Sequence, residues 1–219
     1  MFVDREDAGK QLAAKMLPHG WYNPLILGVP RGGVVVARFL WERLGGELDL
    51  YITRKIGAPT QPELAVGAVS ADGSITLNHE VVSGLGISST YIEREAAREQ
   101  EEIRRRLEVY RGERPLPRLA GRQIILVDDG VATGSTLLAA LKGLRESGTG
   151  EIVLAVPVGP PDTIYRLEAE VDRLFHLAAP PHFSAVGQFY SRFEQVEDDE
   201  VTRILNEIWG KTDGGIEHR

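Results

Sequence analysis

Asp128 and Asp129 stand side by side, and Gly130, Val131, Ala132, Thr133, Gly134, Ser135 and Thr136 follow them directly. The run before them, IILV at 124–127, is short and wholly apolar, as a strand buried on both faces requires. The run after them, LLAALKGLRESG, has the apolar spacing of a helix. A Gly/Ser/Thr loop between strand and helix turns backbone N–H groups and hydroxyls toward an anion, and the helix adds roughly half a positive charge at its N-terminus. The two carboxylates cannot serve that anion, because like charges repel. They suit the paired hydroxyls of a sugar, which donate hydrogen bonds, or waters on a divalent cation. A phosphate in the loop and a diol on the acids together describe a ribose 5-phosphate.

Two more stretches carry usable chemistry. GVPRGGVVVA, at 28–37, sets Pro30, Arg31, Gly32 and Gly33 between an apolar strand and a helix. Gly32 and Gly33 permit close approach of the backbone to an anion, and Arg31 brings a permanent charge. Arg54 and Lys55 are adjacent cations at the end of a second apolar run, with Glu63 a few residues on. Glu63 reads equally as a base near a site or as a strand-end charge. The five histidines show no metal-ligand spacing, and the absence of cysteine excludes disulfides, thiolate metal sites and a cysteine nucleophile.

These residues need elements to hold them. Asp4 can cap a first helix that runs to Leu17 and is closed by Pro18 and Gly20. Strands are expected at 25–29, 48–53, 124–127, 152–157 and 171–178, with helices at 34–45, 135–147, 162–169 and 196–209. Wholly apolar strands alternating with helices predict an α/β fold: a parallel-sheet core with helices on both faces. The middle of the chain breaks the rhythm. Residues 62–77 read as a hairpin turning at Ala71, Asp72 and Gly73, and 57–62 as a mobile lid. From 88 to 112, Ile92, Ala96, Ile103, Leu107 and Tyr110 fall on one narrow stripe among alternating Glu and Arg, which describes a largely solvated helix. The expected organisation is a core of residues 1–58 and 120–219, with 59–119 inserted as a hood or lid subdomain.

With 219 residues, 42% hydrophobic and 26% charged, the chain can build one large domain carrying such an insert. A net charge of −7 weighs against a general nucleic-acid binder, which shows a basic face. No apolar run reaches bilayer-spanning length, and the first residues are acidic and amphipathic, without export features. The expectation is a cytoplasmic protein with no nucleic-acid or membrane partner.

VDDGVATGST resembles the motif with which type I phosphoribosyltransferases bind phosphoribosyl pyrophosphate (PRPP): apolar strand, two acids, then a T-G-x-T-type loop. No Gly-Lys-Ser/Thr follows as a Walker A loop would need. The resemblance implies that residues 130–136 bind the 5-phosphate, while Asp128 and Asp129 hold the ribose hydroxyls and touch Mg²⁺ through water or sugar. It implies that Arg31, Gly32 and Gly33 form a pyrophosphate loop, where relatives often hold a cis non-proline peptide. Arg54 and Lys55 would face the departing pyrophosphate. The implied reaction transfers ribose 5-phosphate to a nitrogenous acceptor, a nucleobase or amine; a homodimer is one option for the assembly. The resemblance runs over residues 25–69 and 122–158 and leaves out the 88–112 helix. Members acting on 6-oxopurines have an acid where this chain has Ala132, whereas adenine-type members also have Ala. The segment 181–193, with Phe183, Phe189 and Tyr190, is similar to an aromatic stretch that some members stack on a purine. A PRPP- or nucleotide-sensing protein on the same fold is the alternative. A phosphatase- or kinase-like enzyme would need a D-x-D pair or a Walker lysine, and neither is here.

Overall fold

The computed structural model describes residues 1–213, leaving out the side chains of residues 62, 63, 212 and 213. The question of Glu63 as a base therefore lies outside the described residues. In chain order the elements are α1 (Arg5–Met16), β1 (Leu25–Gly28), α2 (Gly32–Leu44), β2 (Glu47–Leu50), β3 (Thr53–Ala58), β4 (Gln61–Ser70), β5 (Ile75–Leu77), α3 (His79–Gly84) and α4 (Ser89–Arg111). They continue with β6 (Ile124–Val127), α5 (Ser135–Glu146), β7 (Ile152–Val158), α6 (Pro161–Glu168), β8 (Arg173–Ala178) and α7 (Asp198–Asp213).

Five strands form a parallel sheet in the order β2-β1-β6-β7-β8. Every residue of β1, β6 and β7 is buried, because side chains alternate between two covered faces. Ile26, Ile125, Val127 and Val153 pack with α1, α2 and α7 residues such as Leu12, Leu40 and Leu205. Leu25, Leu27, Leu126 and Leu154 pack on the other face with Leu137 and Leu141 of α5 and Leu167 of α6. The helices start where the side chains allow it. Asp4 caps α1 by accepting from Asp7 N at 3.0 Å, and Ser88 caps α4 by accepting from Tyr91 N at 3.3 Å.

The expected strand at 48–53 is divided between two sheets. Tyr51 N donates to Gly28 O at 3.0 Å as the chain leaves the parallel sheet. Thr53 then opens β3, which pairs antiparallel with β4 from Thr53 opposite Ser70 to Ala58 opposite Gln61. The 57–62 stretch, expected as a mobile lid, contains the tip of this hairpin, with Ala58 opposite Gln61 and register shifts on either side of Gly57. The hairpin turning at 71–73 is present between β4 and β5, giving a three-stranded sheet β3-β4-β5. The short helix α3, capped by Asn78, has too few residues to show a period in the sequence.

α4 leans on both units. Its stripe, Ile92, Ala96, Ile103 and Tyr110, is buried. Its C-terminal end is pinned by a buried ion pair between Arg111 and Asp49 of β2, and by Tyr110 Oη donating to Asp198 Oδ1 at 2.5 Å.

Candidate functional site

β6 is the middle strand of the parallel sheet, and Asp128 and Asp129 leave its carboxyl end, where α/β sheets bind ligands. Asp129 N donates to Asp128 Oδ1 at 2.9 Å. Asp128 faces a pocket of about 220 Å³ that it lines with Gly130 to Leu137. Asp129 turns the other way, to a residue the sequence did not single out: Arg5 of α1, whose Nε donates to its Oδ2 at 2.6 Å. Arg5 is held in turn by Glu194 O at 2.8 Å and by the Phe193 ring, 3.8 Å from its guanidinium carbon. Tyr190 Oη donates to Asp129 O at 2.5 Å. Burial, and then the neighbouring Asp129 charge, holds Asp128 well above the usual carboxylate range. Burial also raises Asp129, against the opposing pull of Arg5. Two acids thus share one guanidinium, and Asp128 has no cation of its own among the described residues. That imbalance suits a ligand bringing hydroxyl donors or a divalent cation. Among the described residues no group of three or more His, Cys, Asp or Glu is placed to hold a metal ion.

The loop beyond the acids has the form an anion requires. Gly134 takes a left-handed conformation, φ 77°, to enter α5, and no side chain caps that helix. The hydroxyls of Thr133 and Ser135 lie 3.3 Å apart. α6 fixes the loop from behind: Thr163 Oγ1 donates to Ala132 O at 2.9 Å, and Arg166 Nη2 to Thr133 O at 3.0 Å. The carbonyls are thereby tied to α6 while the first turn of α5 keeps its N–H groups for a ligand.

The Pro30–Arg31 peptide is cis, at the position where the motif led us to expect such a bond. Gly32 and Gly33 are required by close approach. A Cβ on Gly32 would lie 1.8 Å from Asp129 Oδ2, and one on Gly33 2.6 Å from Val127 O. The two loops therefore touch at these glycines. The Arg31 side chain points to Asp198 of α7, at 3.6 Å, and is not among the residues lining either cavity of the site.

The second of these cavities, of about 690 Å³, is lined by Val29, Pro30, Arg54, Lys55, Arg98, Glu99 and Thr136, among others. Thr136 also lines the pocket of about 220 Å³, so the two spaces lie on either side of the end of the loop. Arg54 and Lys55, though expected to leave a core strand, belong to β3 of the antiparallel sheet and still reach this cavity. Arg54 Nε donates to Glu99 Oε2 at 2.7 Å, and Arg98 Nη2 to Glu99 Oε1 at 2.9 Å. Burial pushes Glu99 up, but hydrogen bonds from Arg54 and Arg98 outweigh it and leave the carboxyl below its usual range. Arg5 and Glu99 carried no local signal: each is one charged residue on a helix remote in sequence. The aromatic segment is packed as a cluster, with Phe183, Phe189 and Phe193 around buried Phe2 and Tyr190.

A parallel sheet with a Gly/Ser/Thr loop and paired acids at its carboxyl ends defines an α/β protein whose site lies at the strand ends. The family model described as "Phosphoribosyl transferase domain" matches residues 3–194. The chain belongs to that family, which is of the glycosyltransferase class of enzymes. The match takes in α4, which the motif resemblance had left out. A crystal structure of TT1426 from Thermus thermophilus is similar at 44% identity and a TM-score of 0.88, covering 94% of this chain and 98% of that one. A Mycobacterium tuberculosis H37Rv protein, provisionally named a phosphoribosyl transferase, is 42% identical over 206 residues. Those residues cover 94% of this chain and 46% of the relative, so the chain spans about half the length of that curated protein.

Proposed function

We propose that this protein transfers ribose 5-phosphate from PRPP to a nitrogenous acceptor, a nucleobase or amine, and releases pyrophosphate. The observation that carries the reading is the juxtaposition of three features: the 130–136 loop pocket with Asp128 on its wall, a cation-lined cavity that shares Thr136 with it, and Gly32 packed against Asp129. In this reading the 5-phosphate sits on residues 130–136 and the ribose hydroxyls donate to Asp128 and Asp129. The acceptor's nitrogen lone pair forms the new bond to C1 as the C1–O bond to pyrophosphate breaks, and the pyrophosphate takes that electron pair. The acceptor then sheds its proton. The transition state is oxocarbenium-like, and the chain's own task is to fix the sugar and stabilise the negative charge growing on the leaving group. Arg54 and Lys55 serve that charge; Gly32 lets the backbone of the 30–32 loop approach it, while the Gly33 N–H is taken by Val29 O at 3.0 Å. Bound Mg²⁺, held by Asp128 and Asp129 through water or sugar, would supply further neutralisation of the diphosphate.

Residues 59–119, reached through β3, would act as the hood or lid over a core of residues 1–58 and 120–219 and keep water from C1. No described helix is long and apolar enough to cross a membrane. The reading fits a cytoplasmic enzyme and is compatible with a homodimer. It is tested by thermal unfolding with Mg²⁺–PRPP or a nucleoside 5-monophosphate. At about 100 times the dissociation constant the ligand should stabilise the fold by about 2.7 kcal/mol. Asp128→Asn with Asp129→Asn should remove that gain for ribose-bearing ligands and leave inorganic phosphate binding in place. Equal loss for both ligands would show that the acids do not read the sugar.

A further inference from the structure

The cavity beside the phosphate pocket holds an arrangement that the motif does not contain. Glu95, Arg98 and Glu99 share one face of α4, and Arg98 Nη2 reaches Glu95 Oε2 at 2.8 Å and Glu99 Oε1 at 2.9 Å. Glu99 is only 8% exposed, and its other oxygen takes Arg54 Nε at 2.7 Å. Both carboxylate oxygens are thus committed, and the Arg54 guanidinium is gripped by one edge only. Its terminal edge, Nη1 and Nη2, has no other protein partner among the described residues, and Arg54 lines the cavity. A guanidinium fixed through Nε presents that edge as a two-pronged donor, the geometry that matches two oxygens of a phosphate.

We propose that Glu99 is a positioning residue for pyrophosphate: by holding Arg54 through Nε, it aims the Arg54 Nη edge at the diphosphate in the cavity. The inference rests on the transferase reading for its role in turnover, but its binding arm does not need turnover. α4 then has a function beyond covering the sheet, since it carries the carboxylate that orients a β3 cation. Without that carboxylate the Arg54 side chain keeps its charge and loses its aim.

The test uses the full chain and the variants Glu99→Gln, Arg54→Ala and the double variant, with inorganic pyrophosphate titrated calorimetrically. Gln keeps the shape but loses the charge and has one acceptor oxygen in place of two, so it cannot accept from both Arg54 Nε and Arg98 Nη2. Glu99→Gln should weaken pyrophosphate binding about three- to tenfold and Arg54→Ala about ten- to hundredfold. The double variant should bind no worse than Arg54→Ala, because Glu99 acts only through Arg54. Inorganic phosphate, held by the 130–136 loop, should bind all three variants as it binds the wild type. In pyrophosphate release with Mg²⁺–PRPP, Glu99→Gln should lower kcat with KM for PRPP within about twofold, which a general loss of structure would not do. Should Glu99→Gln fail to fold, the comparison of Arg54→Ala with the double variant, where the pair is removed together, decides instead. Wild-type-like pyrophosphate binding by Glu99→Gln, fully additive losses in the double variant, or a wild type that binds no pyrophosphate would each overturn the proposal. Coupled losses in binding, with no release from the wild type on any acceptor, would uphold the positioning role and sink the transferase reading alone.

Discussion

Replacing Gly32 by Ala should separate the sugar site from the fold. The new Cβ would stand 1.8 Å from Asp129 Oδ2, 2.5 Å from its Cγ and 2.9 Å from Arg5 Nε, where 3.0 Å is the practical limit. Restoring a 3.0 Å contact from 1.8 Å moves the carboxylate by about 1.2 Å, enough to break its 2.6 Å hydrogen bond with Arg5. The obstructing atoms are the end of a side chain, so the backbone can stay. Overpacking costs about 1–3 kcal/mol, and Ala at the start of α2 returns up to about 1 kcal/mol over Gly. For a chain of this length the melting temperature should fall by under about 10 °C. The ribose site fares worse. Losing one or two hydrogen bonds to a charged group, about 1.5–3 kcal/mol each, weakens a ribose-bearing ligand by at least about tenfold. Calorimetric titration with a nucleoside 5-monophosphate and with inorganic phosphate reads both sites on one sample. The monophosphate should lose affinity and free phosphate should not. Unchanged monophosphate binding, or parallel losses for the two, would refute the placement of the sugar on Asp129. Gly33→Ala is the contrast: its Cβ meets Val127 O at 2.6 Å and Asp128 Cα at 2.9 Å, which are backbone of the central strand and the residue that follows it. That variant should lose stability first, visible in melting even without ligand.

Asp128 supplies a pH test. Because its folded pKa lies above the ordinary 3.8, its burial favours folding in acid, and that contribution is lost as pH rises through the folded value. Asp128→Asn should therefore stabilise the ligand-free protein at pH 7 by about 0.5–2 kcal/mol, the range common for a single stabilising substitution. The gain should fade toward pH 4; a gain that grew as pH fell would contradict the charge assignment. Arg54→Ala and Lys55→Ala should each depress turnover about a hundred- to thousandfold, far more than PRPP affinity, since they act on charge that develops at the leaving group. Proportional losses in rate and affinity would place them in ground-state binding instead. With Ala132 unable to exchange a proton with a base, hypoxanthine and guanine should be poor acceptors. Efficient guanine turnover that survives mutation of every nearby Asp and Glu would refute this.

The sequence reading reached the parallel sheet because its strands are short, apolar and separated by helices of clear period, as in 124–127 followed by 135–147. The loop residues and the acids were legible for the same reason: strand, acids and loop are contiguous, so their chemistry shows locally. What escaped was built from distant pieces. Arg5 reaches Asp129 across 124 positions, and nothing in an acidic first turn marks it. Glu99 meets Arg54 across 45 positions, and in the sequence it is one acid in a run of alternating charge. The 48–53 run read as one strand because both sheets it serves demand the same apolar residues. The pairing of Gly57 with Ala65 and Ala58 with Gln61 was hidden by Gly57, Pro59 and Pro62, residues that also mark loops.

The central claim is that the acid pair and the cation cavity together drive transfer. Its most direct measurement is pyrophosphate release by the wild-type chain with Mg²⁺ and PRPP, across a panel of nucleobases, orotate and simple amines. The account predicts release that requires both Mg²⁺ and a particular acceptor, with the matching ribose 5-phosphate adduct formed in equal amount. PRPP that binds and stabilises the fold, yet yields no pyrophosphate above the enzyme-free rate with any acceptor, would contradict it and leave a protein that senses PRPP without transferring it.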